Sequence, residues 1–277
     1  MIPLRYRSDI DGLRAVAVLA VVVYHAFPRF LPGGFAGVDI FFVISGYLIS
    51  GLLYKGQAEG TFSFVEFYAR RIKRLFPALI ATLALVMAYG WLILLPNELL
   101  SVAKHVAGST VFGQNVMLWT ESGYFDRAAN LKPLLHLWSL AVEEQVYLFL
   151  PPVLMLVMRR KGLLVPVLGL LLVLSFVTGV GLSSKAAGFF LTPFRTWEFL
   201  GGALLAWWHY GKGHEEEEPP FRQAVGTAGV VVLGLGLAFL NHEQPYPGWR
   251  ALLPVAGTLL LIEAGRNAWP NRYLLGL

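Results

Sequence analysis

The chain has 277 residues, 56% of them hydrophobic and 14% charged, with a mean hydropathy of +0.61 and a formal net charge of +5. That balance lies outside the range of a soluble domain and marks a polytopic membrane protein, whose surplus of Lys and Arg encodes topology rather than nucleic-acid binding. The absence of cysteine excludes disulfides, thiolate metal sites and cysteine nucleophiles.

Apolar stretches long enough to cross a hydrocarbon core of about 30 Å lie near residues 10–28, 35–54, 77–95, 133–158, 163–182, 189–209, 222–240 and 250–265. They predict an all-α transmembrane bundle of eight spans, a single integral-membrane domain over 1–277, because no hydrophilic stretch is long enough to fold apart.

In the first span, Arg14 and His25 bracket a run with no other charge. Eleven residues are close to three helical turns, so both side chains leave nearly the same face, roughly 16 Å apart along the axis. Ionisable groups inside a span are costly and mark function by default. The plainer alternative makes Arg14 an anchor that snorkels to lipid phosphate and His25 a polar residue bonded across helices. Arg5 and Arg7 before an apolar run also suit a signal peptide, yet no small-x-small site follows Tyr24 to Pro28 and a second span begins soon after. The segment therefore reads as a retained span.

The second span opens with Asp39 near the level of His25. The short hairpin from Phe27 to Phe35 makes the two spans antiparallel neighbours. Asp39 is then placed either to fix the tautomer of His25, as a carboxylate does beside a histidine base, or to cap the second helix. Aromatic and basic residues interleaved from Phe62 to Phe76 predict an amphipathic helix lying in the cytoplasmic interface near 62–76. Within it Arg70, Arg71, Lys73 and Arg74 precede Pro77, a density of cations that suits anionic lipid heads or the phosphates of a ligand. The apolar stretch Leu99 to Trp119 predicts a short helix packed on the bundle, since a further crossing would turn the basic run Arg159-Arg160-Lys161 outward.

On the fourth span His136, Ser139, Glu143 and Tyr147 share one helical face as a polar stripe. Adjacent Glu143 and Glu144 point about 100° apart, and at least one of them must face the bundle interior. Arg195 and Glu198, three residues apart, predict an internal ion pair. Gly201, Gly202, Gly226, Gly229, Gly234 and Gly236 suit close helix packing. Residues 211–221, with Glu215-Glu216-Glu217-Glu218 and Pro219-Pro220, read as an acidic cytoplasmic linker loop. Asn271 to Leu277 read as an apolar beginning cut short. Most Lys and Arg fall on the side of the N-terminus, which predicts that the N-terminus is cytoplasmic. With no metal-ligand spacing, phosphate-binding glycine loop or Gly-x-Ser-x-Gly motif, chemistry must run on histidine, carboxylates and arginine.

Four ordered motifs over residues 7–160 resemble the membrane acyltransferase-3 family. They are Arg7-Ser8-Asp9-Ile10-Asp11-Gly12-Leu13-Arg14-Ala15 leading to His25; Gly37-Val38-Asp39-Ile40-Phe41-Phe42-Val43-Ile44-Ser45-Gly46-Tyr47; Arg70-Arg71-Ile72-Lys73-Arg74-Leu75-Phe76-Pro77-Ala78; and His136-Leu137-Trp138-Ser139-Leu140-Ala141-Val142-Glu143-Glu144-Gln145. Residues 160–277 match mainly by hydropathy. The resemblance implies a bundle with more spans than are read here, hence a chain truncated before its last spans. It further implies a bacterial inner-membrane enzyme that takes an acetyl group from cytoplasmic acetyl-CoA, its co-substrate, and delivers it to a hydroxyl of a surface glycan such as O-antigen, peptidoglycan or exopolysaccharide.

By position, the family's Arg and His fall on Arg14 and His25, and its cytoplasmic arginine motif falls on Arg70, Arg71 and Arg74, with Lys73 among them. Arg14 is expected to polarise the thioester carbonyl or hold a phosphate. His25, oriented by Asp39 or Glu143, is expected to act as general base or to be transiently acylated. Tyr47, His136, Ser139 and Glu144 are expected to bind the acceptor. The partners implied are a glycan or lipid-linked glycan, membrane lipids and, in the parent protein, a C-terminal esterase-like domain; no metal and no nucleic acid is expected. Two other classes fit the same intramembrane charges. A proton-coupled transporter should carry internal repeats, which are not seen here, and a non-enzymatic scaffold should tolerate loss of His25 and Arg14 together.

Overall fold

The computed structural model describes residues 6–122, 132–160, 162–211, 221–241 and 243–276, which form eleven α-helices joined by turns and short tight or wide helical segments, with no strand among the described residues. α1 (Ser8–Ala26) carries Asp9 and Asp11 in its first turn and His25 in its last, the order that the helix dipole favours. A turn leads into α2 (Gly37–Ala58), the central post of the bundle. In the apolar stretch containing α2, 78% of residues are buried, against 17% in α3 (Phe64–Ile93) and 22% in both α7 (Leu164–Gly181) and α10 (Arg222–Phe239). The outer helices therefore present apolar faces to lipid, while α2 is enclosed by protein.

α2 packs most closely on α9 (Thr196–Ala206), and the sequence explains why. A Cβ at Gly46 would lie 2.0 Å from the Phe199 carbonyl oxygen, and one at Gly202 would lie 2.1 Å from that of Val43. Only glycine lets these two backbones touch, the device by which membrane helices gain close packing. Gly234 meets nothing within 4 Å, so the packing expected for the span glycines does not extend to it.

Five helices are long and apolar enough to cross a membrane: the one containing α2, then α3, α6 (Leu137–Met158), α7 and α10. The other three apolar stretches are helical but fall short as continuous spans. α1 has Asp9, Asp11 and Arg14 within it. The stretch 189–209 is broken by Pro193 into α8 (Ala186–Phe190), a tight turn, α9 and the wide turn Trp207–Gly211. The last crossing is shortened to α11 (Leu252–Ala264) by the tight turn Gly248–Ala251 before it. Hydropathy registers the apolar run but not the interruption.

The amphipathic segment 62–76 and the span at 77–95 are one helix, which corrects the expectation of a separate interfacial helix. α3 runs unbroken through Pro77 and is capped by Ser63, whose side chain accepts from the Glu66 amide at 3.4 Å. A proline removes one amide donor, here the partner of the Lys73 carbonyl, but long helical runs on both sides carry the axis through. Residues 96–121 form the hairpin α4 (Pro96–Thr110) and α5 (Gln114–Glu121), neither long enough to cross. The acidic stretch falls at 212–220, outside the described residues, as do Arg5, Arg127 and Lys161.

The start of α1 is clamped to the far end of the chain. Arg7 donates twice to Asp9, at 2.9 and 2.7 Å, and once to the Ile262 carbonyl at 3.0 Å. The Asn271 amide donates to Asp9 at 3.0 Å and to the Leu261 carbonyl at 2.7 Å. Asn271–Leu275 packs against Gly12, where a Cβ would lie 1.8 Å from the Leu275 carbonyl oxygen. This clamp fixes the axial position of Arg14, one turn further on.

Candidate active site

Helical periodicity builds the site from four helices. On α3, Phe67, Arg70, Arg71 and Arg74 recur at three- and four-residue spacing. On α6, Leu140, Glu143, Glu144 and Tyr147 do the same. These two stripes, with Arg14 from α1 and Ile44, Ser45 and Leu48 from α2, enclose a cavity of about 390 Å³. Four guanidinium groups face two carboxylates across it, so the lining is cationic.

The carboxylates are held by specific partners. Ser45 Oγ donates to Glu143 Oε1 at 2.6 Å, and the Tyr147 hydroxyl donates to the same oxygen. Arg71 pairs with Glu144 and lies 3.4 Å above the Tyr147 ring. Arg14 meets Asp11 at 3.4 Å and Arg70 meets Glu66 at 3.1 Å; both pairs are solvent-accessible and therefore weak. Arg14 and Arg74 thus remain able to take a ligand anion, whereas Arg71 is already committed to Glu144.

Of the residues expected at a site, Arg14, Arg70, Arg71, Arg74, Glu143 and Glu144 come together here. Lys73 does not; it is exposed and projects from another face of α3. Tyr47 also turns away from the cavity. Its hydroxyl bonds His209 Nδ1 at 3.0 Å and the Tyr210 hydroxyl at 3.1 Å, and His209 Nε2 meets Glu263 at 2.9 Å. Glu144, expected to touch an acceptor, is the ion-pair partner of Arg71.

His25 stands at the opposite end of α1. Its Nδ1 donates to the Val21 carbonyl at 2.8 Å, which leaves Nε2 as the acceptor nitrogen of the neutral ring. Asp39 does not orient it. That carboxylate is 3.1 Å from Arg195, whose Nε is 2.9 Å from Glu198, and all three side chains are at most 1% exposed. A fully buried guanidinium demands carboxylate partners, and this demand fixes Asp39 toward α9 rather than α1. Glu143 is likewise engaged in the cavity. His136, at the start of α6, is close enough to His25 for their charges to interact, and the Ser139 hydroxyl donates to the His136 carbonyl at 3.2 Å. The polar stripe on α6 therefore runs from the His25 end, through His136 and Ser139, to Glu143 and Tyr147 in the cavity, about 10 Å from His136 to Glu143 along the axis.

Ser45, His209 and Glu263 were not anticipated. Ser45 meets Glu143 across 98 residues and His209 meets Glu263 across 54, separations that no local spacing encodes. The Arg195 and Glu198 pair was legible at three-residue spacing; Asp39 as its third member was not.

The acyltransferase domain of the acyltransferase-3 family matches residues 7–276. The chain belongs to that family. Among its relatives, the O-acetyltransferase OatA of Staphylococcus aureus strain NCTC 8325 is 32% identical over 281 residues, covering 96% of this chain and 42% of its own length. Another Staphylococcus aureus relative, from strain MSSA476, carries O-acetyltransferase in its name and is 33% identical over 281 residues, 94% of this chain and 45% of its own. The chain thus spans less than half the length of these relatives. No solved structure matches it. Each of the four motifs read in the sequence contributes to the cavity lining, through Arg14, Ser45, the α3 arginines and the Glu143–Glu144 pair.

Proposed function

We propose that this acyltransferase moves an acetyl group from cytoplasmic acetyl-CoA to a hydroxyl of a cell-surface glycan, free or lipid-linked, at the bacterial inner membrane, with the N-terminus and the cationic cavity facing the cytoplasm. The observation that carries the reading is the convergence of Arg14, Arg70, Arg71 and Arg74 from two helices on one cavity of about 390 Å³, a volume ordinary for a small-molecule site. Guanidinium groups bind phosphate through paired hydrogen bonds, so Arg70 and Arg74 suit the phosphates of the donor. The apolar wall of Ile44, Leu48 and Leu52 suits its uncharged arm. Acetyl-CoA supplies an activated thioester carbonyl, and every other step falls to the chain.

Arg14, at the junction of cavity and α1, stabilises negative charge developing on a carbonyl oxygen. His25 presents Nε2 as an acceptor nitrogen at the far end of the α6 stripe, where it holds and orients an acceptor hydroxyl. The names of the relatives support O-acetylation.

Turnover of radiolabelled acetyl-CoA by the protein in nanodiscs tests this. His25→Ala and Arg14→Ala should each lower label release by roughly 100-fold. Undiminished turnover in both variants would refute the assignment.

A further inference from the structure

We propose that Ser45 is a transient acyl carrier, its hydroxyl accepting the acyl group from the thioester before a second hydroxyl removes it. The proposal rests on the acyltransferase reading above and adds a covalent step to it.

Three observations point to Ser45. It lines the cationic cavity from α2, although its residue is only 8% exposed. Its Oγ already donates to Glu143 Oε1 at 2.6 Å, which puts a nucleophile in hydrogen-bond contact with a base. That base is in turn oriented by a third group, the Tyr147 hydroxyl, whose ring is covered by the Arg71 guanidinium at 3.4 Å while Arg71 is itself fixed by Glu144. Nucleophile, base and orienting group in sequence are the arrangement by which a weak hydroxyl is activated on unrelated folds.

The geometry also supplies a reason for a carrier. Ser45 lines the same cavity as Arg14 and the α3 arginines, whereas His25 lies roughly 16 Å along α1 from Arg14, so within the cavity the hydroxyl beside a base is that of Ser45. A covalent stop at Ser45 lets the thiol product leave before the acceptor is engaged, and the two large substrates need not occupy the bundle together.

The chemistry balances. Ser45 Oγ attacks the thioester carbonyl while Glu143 takes its proton, and Arg14 or Arg71 faces the resulting oxyanion. The carbon–sulfur bond breaks, the thiolate takes the proton from Glu143 and leaves as a thiol, and an ester remains on Ser45. An acceptor hydroxyl then attacks that ester, giving its proton to Glu143, which returns it to Ser45 Oγ as the acyl group departs. Tyr147 also touches Glu143, but a phenol ester is a poorer store for an acyl group and its ring is held beneath Arg71; it is a positioning residue.

The test is to incubate the protein in nanodiscs with isotopically labelled acetyl-CoA and no acceptor, quench in acid, digest, and locate the label by mass spectrometry. One acetyl group is expected on the peptide containing Ser45, removable by added CoA, absent in Ser45→Ala and strongly reduced in Glu143→Gln. In Ser45→Cys the adduct should become a thioester, cleaved by hydroxylamine at neutral pH. Donor turnover by Ser45→Ala should fall by at least about 100-fold, with its unfolding temperature and CoA binding, measured on the same samples, unchanged. Label on Tyr147 or His25 in place of Ser45, no adduct in a wild type that consumes donor, or turnover by Ser45→Ala within about threefold of wild type would each overturn the carrier and leave the acyltransferase reading standing. A wild type that neither binds nor consumes acetyl-CoA would overturn both.

Discussion

At the scale of single residues, the cavity distinguishes cations that sequence treats alike. Arg70, Arg71, Lys73 and Arg74 are one basic cluster on paper, yet Arg71 is committed to Glu144 and Tyr147 and Lys73 points away. Replacing Arg71 with Lys keeps the charge but loses the planar contact with Tyr147 and the forked reach to Glu144. Arg71→Lys should therefore reduce acyl transfer by about tenfold or more, the scale of one charge-assisted hydrogen bond, while leaving the unfolding temperature nearly unchanged. The buried cluster of Asp39, Arg195 and Glu198 predicts the opposite pattern. Arg195→Met strands two carboxylates in a dry core and should destabilise the fold by about 3 to 5 kcal/mol, read as a loss of folded protein in thermal denaturation in detergent. The arginine motif, Glu143 and the pair Arg195–Glu198 could be read from the sequence because each lies within one helix, where spacing fixes the face. Ser45, Asp39 toward Arg195, and His209 with Glu263 could not, because their partners sit on other helices.

At the scale of elements, the sequence located every apolar run but not its continuity. Pro77 lies inside α3 and does not end it, whereas Pro193 coincides with a real break before α9. The difference lies in the surroundings: α3 has long apolar and basic helix on both sides of its proline, and Pro193 sits in a tight turn whose carbonyl accepts from Ser175 at 2.6 Å. The glycines separate in the same way. Gly202→Ala would drive a methyl group against the Val43 carbonyl oxygen and should part α2 from α9, with a loss of about 2 kcal/mol or more. Gly234→Ala, which meets nothing within 4 Å, should be neutral or slightly stabilising in the same thermal assay, since alanine is the better helix former. Equal effects at the two positions would show that α2 and α9 are not packed as described.

At the scale of the whole molecule, α1 joins two functional ends. Its first turn is clamped through Arg7 and Asp9 to Asn271 and the Ile262 carbonyl, Arg14 opens into the cationic cavity, and His25 stands near His136 beyond it. The α6 stripe runs alongside from one end to the other. On the proposed reading the donor is held at one end of the bundle and the acceptor at the other, with Glu143 and Ser45 between them. On that reading the α3 arginines facing the cavity, and not the basic cluster as a whole, hold the donor. Equilibrium binding of acetyl-CoA to the protein in nanodiscs tests it most directly, with wild type compared with Arg74→Ala and Lys73→Ala. Arg74→Ala should weaken binding by about tenfold or more, as expected for loss of a hydrogen bond to a charged group, and Lys73→Ala should leave it unchanged. Equal weakening by both variants would reduce the cluster to a diffuse basic surface, and binding indifferent to Arg74 would contradict the cavity as the donor site.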